Sequence, residues 1–125
     1  MNKSLPDTNV FLRIFSGDAR VRDFVENSDA AIDATIYIEC LQGSKSNAEK
    51  LIIKEYLDNF PLLLITPEVS RRAIRLIDAY SNSFGLFLPD ALIAGTALEN
   101  DLTLLTFNIK DFKFIDGLKH QMPPV

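Results

Sequence analysis

Asp90-Ala-Leu-Ile-Ala-Gly-Thr-Ala-Leu-Glu-Asn-Asp-Leu-Thr-Leu-Leu-Thr106 reads as a helix that ends near Asn100, followed by a strand over 102–106. Ala91, Ala94, Gly95 and Ala97 keep the helix thin, which permits close backbone packing. The strand has no clean polar alternation, as expected when both faces of a strand are covered. Leu62-Leu-Leu-Ile-Thr66 is a second run of the same kind, and Pro67 after it suits the first turn of a helix carrying Val69, Ala73, Ile74, Leu76 and Ile77.

The same alternation extends toward the N-terminus. A brief strand at Leu5-Pro6 precedes a helix over 8–15, which Ser16-Gly17 ends, and Asp18 can cap a short helix with Val21, Phe24 and Val25 on one face. Ala30–Ala34 reads as a strand, Thr35 as the cap of a helix ended by Gly43, and 47–59 as an amphipathic helix. Beyond 106 the turn Asn108-Ile-Lys-Asp111 leads to Phe112-Lys-Phe-Ile115, expected to be the last short strand. Strands alternating with helices predict an α/β fold with a mainly parallel sheet covered on both faces. At 125 residues, 47% of them hydrophobic, the chain suits one domain over 1–125 with a sizeable core.

Three carboxylates each stand as the lone charge in an apolar stretch: Asp7 in Ser4–Leu12, Glu39 in Ala34–Ser44 and Asp90 in Phe84–Leu98. An ionised carboxylate in such company is strongly unfavourable unless paired or bound to a metal. No basic residue is close to any of the three in sequence, so a shared divalent cation is the simplest common partner. Each also has a purely structural reading: Asp7 and Asp90 as helix caps, Glu39 as a rim glutamate. Asp111 alone is an ordinary turn aspartate, and Asp33 is read as a solvated residue beside a strand end. In open parallel sheets ligands bind beyond the carboxyl ends of the strands, and Asp7, Glu39, Asp90, Thr106, Asn108 and Asp111 can all reach that edge.

Other chemistries find little support. His120 has no partner at metal-ligand spacing, Cys40 is expected in the core, and there is no glycine-rich phosphate loop. The single cysteine excludes an internal disulfide, in keeping with a cytoplasmic location. No apolar signal-peptide core or membrane span is evident. The net charge of −4 removes whole-surface attraction for nucleic acid, leaving local cations such as Arg13, Lys45 and Lys110 as candidate contacts. Val10, Phe11, Ile14 and Phe15 crowd the first helix with apolar groups, read as core packing with a partner groove as the alternative.

Four segments in order, Asp7-Thr-Asn-Val-Phe11, Ile38-Glu-Cys-Leu-Gln-Gly43, Asp90-Ala-Leu-Ile-Ala-Gly-Thr-Ala97 and Leu105-Thr-Phe-Asn-Ile-Lys-Asp-Phe112, resemble the PIN domain, specifically the VapC-like ribonuclease toxins of type II toxin–antitoxin systems. The resemblance implies a three-layer α/β/α fold with a mainly parallel sheet of about five strands. It implies Asp7, Glu39 and Asp90 as catalytic, metal-binding acids. The family's fourth acid falls at Asn108 or Asp111; only Asp111 is acidic here and takes that role. Thr8, Asn9, Thr106 and Asn108 become supporting polar residues, with Mg²⁺ or Mn²⁺ as cofactor. RNA is then the substrate, cut to a 3′-hydroxyl and a 5′-phosphate. A small antitoxin and a second copy of the chain are the expected partners, without membrane association. Pro6 before Asp7 and Asp33 beside the second strand depart from the pattern. A non-catalytic PIN-like binding module, and a metal-dependent DNase or phosphatase, are the alternatives.

Overall fold

In the computed structural model, which describes residues 2–124, five short strands lie in the order β3-β2-β1-β4-β5. The elements along the chain are β1 (Ser4–Pro6), α1 (Thr8–Phe15), α2 (Ala19–Glu26), β2 (Ile32–Asp33), α3 (Ala34–Gln42), α4 (Asn47–Leu57), β3 (Leu62–Leu63), α5 (Pro67–Phe84), α6 (Leu88–Glu99), β4 (Thr103–Leu105), a 3₁₀ turn (Ile109–Asp111) and β5 (His120–Gln121). Every strand pairing is parallel: Leu5 stands opposite Leu104, Ile32 opposite Leu62, and Leu104 opposite His120. The β2–β3 pair joins the rest through a single bridge, Ser4 to Ala30, where the Ala31 N–H donates to the Ser4 carbonyl at 2.9 Å. The order reverses between β1 and β4, the switch point at which such sheets open a crevice.

Leu5, Pro6, Leu104 and Leu105 are all buried, so helices cover both faces of the central strands and the expected three-layer α/β/α arrangement holds. Helix α6 is the innermost helix, with Ala91, Ile93, Ala94, Gly95, Thr96 and Ala97 all buried. A Cβ built on Gly95 would meet the Val69 carbonyl oxygen of α5 at 3.3 Å, so glycine here lets the two helices approach closely. Caps mark most helix starts. Asp18 accepts from the Val21 N–H, Ser46 from Glu49 and Thr66 from Val69. Gly85, at φ 72°, ends α5 in the left-handed region. Val10, Phe11 and Ile14 point into the core, the packing role expected for α1.

Four expectations are corrected. The helix carrying Glu39 is capped by Asp33, whose Oδ1 accepts from the Ile36 N–H at 2.8 Å, and not by Thr35. Asp33 is accordingly fully buried, not solvated. Phe112–Ile115 is not a strand: Phe112 and Ile115 are turn residues inserted in the core, and the last strand is the solvent-exposed His120–Gln121. Backbone pairing to β4 holds that strand, so its side chains give no apolar signal. Asp90 is not a cap. Helix α6 begins at Leu88 with Pro89 in its first turn, and Asp90 is a first-turn acid favourably placed toward the positive end of the helix dipole.

Candidate active site

The end of β1 sets the first acid. Asp7 closes the strand through its N–H, which donates to the Leu105 carbonyl at 2.8 Å, and caps α1 by accepting from the Thr8 N–H at 2.8 Å. That cap occupies Oδ1. Oδ2 accepts from the Thr106 hydroxyl at 2.9 Å and from Asn9 Nδ2 at 3.4 Å. Thr106, buried at the end of β4, also accepts from the Asn108 N–H at 3.0 Å and from Asn9 Nδ2 at 3.3 Å. Asn9 Oδ1 in turn accepts from the Phe107 N–H at 3.3 Å. A four-residue polar lattice thus ties the start of α1 to the loop after β4.

The other acids come from separate elements. Glu39, on the second turn of α3, accepts from the Thr8 hydroxyl at 2.6 Å. Asp90 enters from the first turn of α6 and Asp111 from the 3₁₀ turn. Asp7, Glu39, Asp90 and Asp111, with Thr8, Asn9 and Asn108, line one cavity of about 240 Å³ at the carboxyl edge of the sheet. Leu12 and Phe112 complete its wall. Sequence gave no sign of either as a site residue, since each reads as an ordinary core position. Thr106 lies behind the cavity, bonded to Asp7. Arg13, Lys45 and Lys110 are exposed and do not line it.

Electrostatics follow from the crowding. Burial pushes the Asp90 carboxyl up to about 6, helped by the negative charges of Asp7, Asp111 and Glu39. Asp7 is also raised, chiefly by burial, against the hydrogen bonds from Thr106 and Thr8 that favour its ionised form. Asp33, one strand away, is raised to about 6, first by burial. The Ile36 N–H and the neighbouring Thr96 side chain oppose that rise, and among the described residues Oδ2 has no partner within hydrogen-bond distance. Asp33 does not line the cavity.

A model of the PIN domain matches residues 4–118. The chain belongs to the PIN-domain family. It is 32% identical to Ribonuclease VapC1 of Rickettsia felis over 90% of each chain. It is 30% identical to a chain of a toxin–antitoxin complex from Klebsiella pneumoniae, superposing with a TM-score of 0.79 over 93% of this chain and 95% of that one. A DNA-bound VapBC structure from Salmonella typhimurium, 21% identical, shares the PIN fold with a TM-score of 0.85 over 98% of each chain. No helix among the described residues is long and apolar enough to cross a membrane.

The cavity presents oxygen donors only, the set that suits Mg²⁺ or Mn²⁺ rather than a softer ion. Among the described residues, no three acidic, histidine or cysteine groups stand close enough to enclose an ion as they are. The fit to a cation therefore rests on the chemistry of the donors. Four carboxylates share one small cavity whose lining includes no basic side chain, and such a group lowers its own repulsion by accepting a cation.

Proposed function

We propose that this PIN-domain protein is a metal-dependent endoribonuclease and the toxin of a type II toxin–antitoxin pair. The observation that carries the reading is the convergence of Asp7, Glu39, Asp90 and Asp111, from four separate elements, on one cavity at the switch point of a parallel sheet. The 32% identity to a VapC ribonuclease supports RNA as the substrate.

Asp7, Glu39 and Asp90 would hold Mg²⁺ or Mn²⁺, with Asp111 as the fourth donor. When bound, the ion would acidify an attacking water and draw charge from the phosphodiester oxygens. The chain's own residues do the rest. Thr106 and Asn9 fix the Asp7 carboxylate with one edge toward the cavity, and Thr8 aims Glu39. Such outer hydrogen bonds hold ligand orientation and favour the ionised carboxylate. Leu12 and Phe112 give the cavity an apolar wall that limits water around the reacting phosphate.

The expected partners are a small antitoxin and a second copy of the chain. Ile38 and Leu88 are large apolar groups left exposed in a groove that Glu39 also lines, and Leu88 shares a second apolar groove with exposed Ile74, a surface suited to association. Light scattering behind size exclusion is expected to give a dimer mass. Activity is tested with labelled single-stranded RNA. Cleavage is expected with Mg²⁺ or Mn²⁺, lost on chelation and lost in Asp90→Asn with the circular-dichroism spectrum unchanged. Full cleavage in chelator, or in Asp90→Asn, would overturn the assignment. Manganese binding in calorimetry without RNA cleavage would instead favour a non-catalytic PIN module.

A further inference from the structure

Arg13 is built into the site's rim in a way its exposure conceals. Its guanidinium carbon lies 4.4 Å from the centre of the Phe107 ring, and its Nη1 lies 3.5 Å from Asp18 Oδ2. Phe107 is fixed in turn. The preceding Thr106 bonds to Asp7, its own N–H donates to Asn9, and the following Asn108 lines the cavity. Asn9 and Arg13 are one turn apart on α1, and Leu12, next to Arg13, forms part of the cavity wall. The stacked cation therefore sits against the same lattice that holds Asp7.

We infer that Arg13 is a phosphate-binding residue of the RNA track, receiving a phosphodiester adjacent to the one cut. This rests on the ribonuclease reading above and adds a substrate contact to it. Three observations favour the role. First, among the described residues Arg13 has one ion-pair partner, Asp18, at 3.5 Å and with Arg13 side-chain exposure of 42%, a pairing of small worth that a phosphate can displace. Second, among the described residues no guanidinium N–H of Arg13 makes a hydrogen bond, so its planar fork is open to an oxyanion. Third, the guanidinium already rests over the Phe107 ring, a contact that restricts the side chain before RNA arrives. The other two candidate cations lack such a mount. Lys45 follows α3 in an exposed loop and Lys110 is exposed within the 3₁₀ turn, and neither has a ring or ion-pair contact among the described residues. A carboxylate-lined cavity repels a polyanion, and a cation held one turn of α1 from Asn9 of its lining offsets that repulsion.

The test separates binding from cleavage. Asp90→Asn serves as a catalytically silent background, and binding of a fluorescent single-stranded RNA is measured by anisotropy across a potassium chloride series at fixed divalent-ion concentration. Adding Arg13→Gln is expected to weaken binding roughly tenfold and to reduce the slope of log K against log salt by about 0.7, the value for one phosphate contact on a single strand. Arg13→Lys is expected to keep the slope, because the charge remains. Phe107→Leu is expected to keep the slope and weaken binding by roughly threefold, through loss of the ring under the cation. An unchanged slope in Arg13→Gln, with RNA still bound, overturns the phosphate contact and leaves the ribonuclease reading standing. Equal loss of slope in Arg13→Lys and Arg13→Gln also overturns it, because a role confined to bracing the loop after β4 would then be indicated. Absence of RNA binding by the parent protein as well as by Asp90→Asn overturns both readings together.

Discussion

Asp7 and Asp33 occupy equivalent places on neighbouring strands. Each ends a parallel strand, each caps the helix that follows, and each uses Oδ1 for the cap. They differ in what Oδ2 meets. That of Asp7 takes the Thr106 hydroxyl and Asn9, and the carboxylate borders the acidic cavity. That of Asp33 meets no hydrogen-bond donor and is sealed inside. The position of the switch point explains the contrast. β1 has β4 on one side, whose loop brings Thr106, Asn108 and Asp111, whereas β2 lies between β1 and β3 and is closed over. A capping aspartate becomes a candidate for chemistry only where the sheet opens beside it.

The widest expected divergence between the two is in activity. Asp7→Asn is expected to lower RNA cleavage on the order of a thousandfold, the scale of losing an electrostatic group at a reacting centre. Asp33→Asn keeps the cap acceptor and is expected to stay within about threefold of the parent. Initial rates on one labelled RNA with Mn²⁺ would show this, and comparable losses in both variants would erase the distinction.

Stability against pH separates them next. The rise of the Asp33 carboxyl from 3.8 to about 6 means that the native state holds this proton more tightly than the unfolded chain. Stability from this group is therefore full below pH 3.8, falls as pH rises toward 6, and is flat above it, a loss of roughly 3 kcal/mol. Asp33→Asn cannot titrate. Its stability relative to the parent is expected to climb by that amount between pH 4 and pH 7 in urea melts. A constant difference across the range would show that Asp33 is not held protonated.

A pair of threonines sharpens the comparison at smaller scale. Thr106 serves Asp7, and Thr96 beside Asp33 is turned to its own helix backbone. Thr106→Val is expected to weaken Mn²⁺ binding by about tenfold or more in calorimetry. Thr96→Val is expected to leave it within about twofold, since Thr96 does not line the cavity and its hydroxyl donates to the Leu92 carbonyl. Equal effects would mean that hydrogen bonding to Asp7 does not set the affinity.

The legibility of these residues from sequence follows the same line. Asp7, Glu39 and Asp90 stood out because apolar neighbours made an isolated charge improbable on its own, and the structure brings all three to one cavity with Asp111. Asp33 also has apolar neighbours, yet β2 is only two residues long, so its end could not be placed and Thr35 looked the better cap. The cap alternative for Asp90 fails because the helix already begins at Leu88, ahead of Pro89, a start that sequence alone does not mark. The alternating aromatics of 112–115 imitated a strand although they fill the core from turns, while the true edge strand carries exposed His120 and Gln121. Periodicity reports burial, and a strand held by backbone pairing alone escapes it.

The bond between Asp7 and Thr106 spans 99 residues of chain. During synthesis, β1 is made well before its partner strand β4 and the turn with Asp111. Until then the first acid has no threonine to hold it and the cavity lacks one of its four carboxylates. The four-acid cavity therefore takes shape only once the chain has been made through Asp111, whatever the order in which the helices between form.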